Sequence, residues 1–205
     1  MWLSLPKHGS GRIYAIQNHR LNIHTLEQIA VCVKLPNFAL CIFGIYLRPN
    51  SETALYSSHS SAVQSVSDRS SARDVILLLG DYHLPQLQWS LDEDVNGCLP
   101  MNASSEREFR LTESIALCGL VQINSFQNTN GRLLDLAFTN FPDSFETLHP
   151  ISSLLAVDSH HPPVELVMDM HDSVIISSVA TTDSLPLDFR RCDFECLNSE
   201  FALVD

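Results

Sequence analysis

The chain has 205 residues, of which 45% are hydrophobic and 18% are charged, with 12 Lys and Arg against 24 Asp and Glu. This length fits one domain with a short tail, and this composition excludes a disordered or fibrous chain. The net charge of −12 excludes a large basic surface that holds nucleic acid by phosphate neutralisation alone, although a local site is still compatible with it.

The sequence carries no signal for a membrane or for secretion. No apolar run approaches the roughly 18 residues that span a bilayer, and the opening MWLSLPKHGSGR lacks the pattern of a signal peptide. The cysteines include no C-x-x-C pair, and Cys98, Cys192 and Cys196 lie in polar stretches, so reduced thiols and no zinc are expected. These features predict an intracellular protein, nuclear or cytoplasmic, with no membrane partner.

Two neighbouring strands are predicted in the first quarter of the chain. Apolar and polar residues alternate over 28–35, which predicts a strand with one buried face. Pro36-Asn37 then predicts a turn into the nearly continuous apolar run 38–46, which is typical of a strand covered on both faces. The two strands predict a central hairpin, and a shorter strand is predicted at 12–16.

The next segment predicts a helix and a buried strand. The Ser-rich stretch 51–71 carries a weak helical stripe, namely Leu55, Ala62, Val63 and Val66. The apolar run 75–79 stops at Gly80-Asp81, as in a buried strand whose carboxyl end brings polar residues to a sheet edge, where ligands commonly bind.

The second half continues with one well-marked helix and several short strands. Ser105 and Glu108 form a capping-box pattern, and Gly119 marks the end of the helix that follows. Further strands are predicted at 121–123, 133–138 and 164–168. The fold class is therefore α/β (α+β), with a domain over 1–171 and a polar linker and short amphipathic tail over 172–205.

Three short segments place an acid or a histidine beside a predicted strand. They are Gly80-Asp81-Tyr82-His83, Leu134-Asp135-Leu136 and Asp158-Ser159-His160-His161. Carboxylates and histidines at strand ends can hold a hard divalent cation, polarise a phosphoryl group and deprotonate water. If the segments converge in space, they suit phosphodiester chemistry.

In order, IFGIYLRPN, GDYHLPQLQW, LLDLAFTN and DSHHPPVEL resemble motifs of the endonuclease/exonuclease/phosphatase family. The resemblance is most specific to the endonuclease domain of animal non-LTR retrotransposon polyproteins, and it runs from about Gly9 to the C-terminus. It implies a two-sheet sandwich flanked by helices that lacks the family's first strands, one of which carries the metal-binding glutamate. It also implies that 172–205 resembles the segment before a reverse transcriptase.

The resemblance assigns roles to five positions. Tyr46 matches a tyrosine that contacts the scissile phosphate, and Asp81 matches the aspartate that orients the attacking water. Asp135 matches the aspartate that orients a catalytic histidine, and His160 matches that histidine. His83 stands where the family has a phosphate-binding asparagine, and one of its ring nitrogens could still donate a hydrogen bond.

Further expectations concern phosphate and metal. Tyr46, Asn50 and His83 are expected to bind the substrate phosphate. Mg²⁺ or Mn²⁺ is expected as cofactor, weakly bound by Asp81 and Asp158. The family has an acid directly before the histidine, and this chain has Ser159 there when His160 is aligned with that histidine. In the alternative register, Asp158 aligns with the acid, Ser159 occupies the histidine position and His160 is an insertion.

The resemblance implies a metal-dependent endonuclease that nicks DNA. A first alternative is an inactive retroelement-derived remnant that at most binds nucleic acid or a protein partner. The missing metal-binding glutamate and the serine at position 159 favour this alternative. A second alternative keeps the fold but takes a phosphomonoester or lipid phosphate as substrate. The sequence leaves the oligomeric state open.

Overall fold

A computed structural model describes residues 2–4, 12–14, 27–35, 37–150 and 158–169. These residues form eleven strands, two α-helices and a short 3-10 helix at Pro142–Ser144. The strands are β1 (Trp2–Ser4), β2 (Arg12–Tyr14), β3 (Glu27–Lys34), β4 (Ala39–Tyr46), β5 (Val75–Asp81), β6 (Gln88–Asp92), β7 (Gly97–Met101), β8 (Val121–Gln122), β9 (Asp135–Thr139), β10 (Phe145–Leu148) and β11 (Glu165–Met168). The helices are α1 (Thr53–Ser67) and α2 (Glu106–Leu117).

The strands form one large and one small sheet. The large sheet has the order β2-β3-β4-β5-β9-β8-β7-β6, and the small one has the order β1-β11-β10. In the large sheet only β4 and β5 pair in parallel, with α1 as the connection between them, and the other pairs are antiparallel. The mixed α/β class with two sheets and helices that the sequence predicted is confirmed.

Both faces of the large sheet are covered. On one face, side chains such as Phe43, Leu78 and Phe138 pack in a core with Leu55 of α1 and Leu111 of α2. On the other face, the alternate residues of the same strands pack against β11 in a second core, made of Val33, Leu40, Val75, Leu77, Ile123, Ala137, Val164, Leu166 and Met168. This arrangement explains the continuous apolar runs of β4 and β5, because each neighbouring residue meets a different layer.

The sequence marks α2 more clearly than α1. The Ser105 side chain accepts a hydrogen bond from the Glu108 backbone N–H, and the Glu108 carboxylate accepts one from the Ser105 N–H at 2.8 Å, so the predicted capping box is present. Gly119 follows the helix with a φ of +62°. In α1, by contrast, the buried stripe includes Tyr56 and His59, two polar residues that the apolar pattern did not single out.

One expectation differs from the structure, and two features were not predicted. Strand β3 is not buried on one face only, because Cys32 packs on the helix side and Val33 on the side of the small sheet, while Ile29 is exposed. Cys98 is buried despite its polar sequence neighbours, and burial raises the pKa of its thiol. The hairpin of β6 and β7 was not predicted, since its strands contain Ser, Asp, Gly and Pro, which are uncommon in strands.

All the described residues belong to one compact unit of the chain. The predicted linker and tail over 172–205 lie outside the described residues. No helix among the residues that the structure describes is long and apolar enough to cross a membrane.

Candidate active site

The site lies where three neighbouring strands of the large sheet end side by side. Tyr46, the last residue of β4, is paired in register with Asp81, the last residue of β5. Asp81 is in turn paired with Asp135, the first residue of the antiparallel strand β9. The topology therefore brings together three residues that are widely separated in the sequence and that the motifs had singled out.

Gly80 allows β4 and β5 to approach each other directly beside the site. A Cβ atom on Gly80 would lie 2.0 Å from the carbonyl oxygen of Ile45 and 2.5 Å from its side chain. Any larger residue would thus push the two strands apart at the position before Asp81. The glycine of the Gly-Asp motif is required here for close backbone approach.

His83 binds one oxygen of Asp81. Its Nδ1 lies 2.7 Å from Asp81 Oδ1, and its backbone N–H donates to the same oxygen at 3.0 Å. His83 has a left-handed φ of +48°, which costs a non-glycine residue roughly 1–3 kcal/mol. The edge of the Tyr46 ring faces His83, with ring centroids 6.3 Å apart.

His161 reaches the site from the loop before β11. Its Nδ1 lies 2.9 Å from Asp135 Oδ2, and its Nε2 lies 3.7 Å from Asp81 Oδ2. The imidazoles of His161 and His83 are nearly parallel, with centroids 6.5 Å apart. Two imidazoles thus flank the Asp81 carboxylate, one on each side, and its Oδ2 is buried without a hydrogen-bond partner among the described residues.

The charges of the site favour a protonated His161. Burial alone would lower the pKa of His161, but the hydrogen bond and negative charge of Asp135, together with Asp81 and Asp158, raise it above its ordinary value. Burial raises the pKa of Asp135, which the contact with His161 only partly offsets. The contact with Asp135 therefore favours the imidazolium form of His161.

The structure places His161, and not His160, against Asp135. The Asp158 carboxylate accepts a hydrogen bond from the His160 N–H at 2.8 Å, which forms a tight turn. The carbonyl of Ser159 accepts from the backbone of Thr129 at 3.2 Å, and that of His160 accepts from Asn128 Nδ2 at 3.4 Å. This clamp leaves the His160 side chain exposed and turns the next residue toward the site, so neither sequence register identified the histidine that contacts Asp135.

Buried amide side chains support the site, and sequence reasoning missed them. Asn124 donates to the backbone carbonyl of Asp135 at 2.6 Å, at the start of β9. Asn128 accepts from the backbone N–H groups of Asn130 and Arg132, which closes the loop that clamps His160. The Asn128-Thr-Asn-Gly stretch is a turn signal that could have indicated this loop, although not its contact 30 residues further along.

Other predicted residues lie at the margin. Asn50, expected to bind phosphate, lies in the exposed turn that precedes α1, with a φ of +61°. Asp158, expected as a weak metal ligand, is exposed at the start of the His161 loop. Glu27, opposite Tyr46 on β3, pairs with Arg48 at 3.2 Å, and both side chains are more than half exposed.

The metal expectation can be tested against the donor atoms present. Among the described residues, no group of three or more His, Cys, Asp or Glu side chains is arranged to hold a metal ion. Asp81 Oδ2 is the orphaned carboxylate oxygen, and Mg²⁺ requires six oxygen ligands in near-octahedral geometry, some of which are usually waters. The described part of the site does not by itself complete a magnesium site.

The arrangement is suited to polar reactions at a phosphoryl group. Asp81 Oδ2 can accept a hydrogen bond from a water molecule, and the protonated His161 can donate one to a developing negative charge. The Nδ1–H of His83 is directed at Asp81, so this side chain can donate a second hydrogen bond only when Nε2 also carries a proton. An asparagine at this position would always have an N–H to donate.

Comparisons with known proteins found structural likeness only. No family model and no curated protein matches the sequence. Among solved structures, the chain is similar to the "Endonuclease domain of TRAS1, a telomere-specific non-LTR retrotransposon", with 13% identity, a TM-score of 0.41 and coverage of 66% of this chain and 69% of that chain.

Two further solved structures show the same kind of similarity. An endonuclease/exonuclease/phosphatase from Beutenbergia cavernae DSM 12333 is 15% identical, with a TM-score of 0.34 and coverage of 68% of this chain and 39% of that chain. An endonuclease/exonuclease/phosphatase family protein from Leptotrichia buccalis C-1013-b is 11% identical, with a TM-score of 0.32 and coverage of 65% and 50%.

Proposed function

We propose that this chain is a phosphodiester hydrolase of retrotransposon origin that nicks DNA with the help of Mg²⁺ or Mn²⁺. The observation that carries the proposal is the Asp81 carboxylate, which lies between two imidazoles at the end of the central strands and has one buried oxygen without a hydrogen bond among the described residues. This constellation offers an acceptor for water next to a cation for phosphate, as hydrolysis of a phosphodiester requires.

In the proposed mechanism, Asp81 Oδ2 accepts a hydrogen bond from the attacking water and orients it toward phosphorus. His161, held by Asp135, donates a hydrogen bond to the phosphoryl oxygen on which negative charge develops. Tyr46, at the end of β4, has a partly exposed side chain beside His83 and contacts the phosphate. A divalent ion would neutralise the phosphate, and Asp81 is the described residue that could contribute to holding it.

The proposal is tested by nicking of supercoiled plasmid in Mg²⁺ or Mn²⁺, with chelator as the blank. We expect slow nicking that requires the metal ion and is lost in Asp81→Asn. Asp94→Asn is the matched control, because Asp94 is an exposed aspartate of the β6–β7 turn. Nicking that persists in Asp81→Asn would show that the activity belongs to another site or to a contaminant.

An inactive, nucleic-acid-binding remnant is the second candidate function. It is favoured by the incomplete set of metal ligands among the described residues. In the same experiment it predicts that the chain binds DNA without nicking it, with or without metal. A parallel assay with a phosphomonoester separates both candidates from a phosphatase, which would release phosphate from that substrate.

A further inference from the structure

A buried polar network lies directly below the site and has no place in the proposed mechanism. His59 is fully buried on the inner face of α1. Its Nδ1 lies 2.7 Å from Gln28 Oε1 on β3, and its Nε2 lies 3.0 Å from the hydroxyl of Tyr82. The amide oxygen only accepts, so Nδ1 carries the proton and Nε2 accepts from the tyrosine.

Burial supports this assignment. It lowers the pKa of His59 to about 4, so the imidazole is neutral near pH 7 and has one donating and one accepting nitrogen. Burial likewise raises the pKa of Tyr82, which keeps its hydroxyl protonated as a donor. Each ring nitrogen of His59 is thus satisfied by a partner of the right kind.

The second contact of α1 is with the peptide group that joins Tyr82 to His83. Tyr82 lies between Asp81 and His83, and its carbonyl oxygen accepts a hydrogen bond of 2.6 Å from the hydroxyl of Tyr56 on α1. Helix α1 therefore holds Tyr82 at two points, its hydroxyl through His59 and its carbonyl through Tyr56. Orienting the Tyr82 carbonyl fixes the plane of the peptide bond that enters His83.

That peptide plane matters because His83 has a left-handed backbone. A non-glycine residue keeps such a conformation only when its surroundings impose it. The conformation brings both the N–H and the ring of His83 onto Asp81 Oδ1. If the Tyr82 carbonyl were free to rotate, the backbone would no longer hold His83 in its contact with Asp81.

We infer that His59 and Tyr56 are positioning residues, which hold the Asp81–His83 segment in its working geometry through Tyr82. Packing alone does not require these residue types, because leucine and phenylalanine would fill similar volumes without buried polar groups to satisfy. The kinetic part of this inference rests on the proposed function, whereas its structural part concerns the backbone of His83 alone.

The test uses the full chain with Tyr56→Phe, Tyr82→Phe and His59→Leu, each of which removes one link. His59→Gln is the conservative variant, since a glutamine can donate to Gln28 and accept from Tyr82. Ile115→Val on α2 is the control, because it loses packing in the same core without touching the network. Amide hydrogen exchange of His83 and the kcat and KM of nicking are measured for each.

We expect exchange at His83 to accelerate about tenfold in Tyr56→Phe and His59→Leu. We expect kcat to fall about tenfold with little change in KM, since small misplacements of a reacting group slow the chemical step. His59→Gln should restore part of both effects, and Ile115→Val should show neither.

Two results would overturn the inference. One is unchanged exchange at His83 in all three variants, and the other is a kcat equal to that of Ile115→Val at equal stability. If the wild-type chain does not nick DNA at all, the proposed function fails, and the exchange rates alone then decide for or against the positioning role.

Discussion

Strand β5 has an aspartate at each end, Asp74 directly before it and Asp81 as its last residue, and the two ends differ in how completely their polar groups are hydrogen-bonded. Before its start, Asp74 accepts from the backbone N–H of Ala39 with one oxygen and from that of Ser71 with the other, both at 2.7 Å. Asn140 joins the same end by binding the backbone of Ile76 and of Asp74. At its carboxyl end, Asp81 keeps Oδ2 without a hydrogen bond among the described residues, with His161 Nε2 3.7 Å away.

The difference separates a structural from a reactive use of the same residue type. Burial alone would raise the pKa of Asp74, but its hydrogen bonds from Ala39 and Ser71 more than offset this and lower it. A carboxylate with both oxygens bound stabilises the fold and has no capacity left for a ligand. A carboxylate with a free, buried oxygen is costly for stability, so it indicates a site where water, substrate or a metal ion completes the bonding.

The largest expected effect concerns the reactive end. Asp81→Asn should reduce nicking about a thousandfold, because it removes the charge that orients water and that pairs with His161. The free energy of unfolding should fall little. Plasmid nicking and urea denaturation of the same preparation check both statements. Equal losses of activity in Asp81→Asn and Asp74→Asn at equal stability would remove the distinction between the two ends.

The next prediction separates the two adjacent histidines. His161→Asn should reduce nicking about a hundredfold, since it removes the cation held by Asp135. His160→Asn is the matched control and should leave the rate unchanged, because the side chain of His160 is exposed and the hydrogen bonds that hold this loop use its backbone. The opposite ranking of the two variants would show that the histidine predicted from the motif is the functional one.

A third prediction concerns stability and pH in the layer beneath the site. His59 has a folded-state pKa of about 4, below its ordinary value of 6.5. The unfolded chain therefore binds the extra proton first, and stability is lost as the pH falls from about 6.5 to 4. The loss should reach about 3 kcal/mol by pH 4 relative to pH 7.

This pH dependence is measured by urea denaturation across that range. In His59→Gln the steep part of the loss should disappear, whereas in His160→Gln it should persist, since His160 is exposed. A wild-type curve that matches His59→Gln over the whole range would mean that His59 is not buried in its neutral form.

The smallest expected effect concerns the paired end. Asp74→Ala should lower the free energy of unfolding by about 2 kcal/mol, because it leaves backbone N–H groups without acceptors. Nicking well below the melting temperature should be unchanged. Since the pKa of Asp74 is lowered in the fold, its contribution is present above pH 3.8 and lost below it, so wild type and variant should converge in acid.

Local patterns in the sequence identified the strand ends but not the loops that complete the site. The apolar run that stops at Gly80-Asp81 predicted where Asp81 lies, since a buried strand leaves little freedom in register. The choice between His160 and His161 depends on Asn128 and Thr129, which clamp a loop about 30 residues away. Pattern reasoning works over one element at a time and does not detect such contacts.

The same limit applies to the network under the site. Tyr56 and His59 belong to the buried stripe of α1, but a polar residue in a weak helical pattern is indistinguishable from a surface residue until its partners are known. Strand β3 shows the reverse case, because its clean alternation predicted one buried face, the one that packs toward the small sheet, whereas Cys32 and Ala30 on the other face also pack in the core with the helices.

The close approach at Gly80 also restricts how the site could change by mutation. The nearest obstacle to a side chain there is the main-chain oxygen of Ile45, which every residue possesses. Replacing Ile45 with a smaller residue would relieve its side-chain contact and leave the carbonyl in place. A damaging substitution at Gly80 should therefore have no second-site suppressor at position 45, and reversion to glycine is the direct genetic route back.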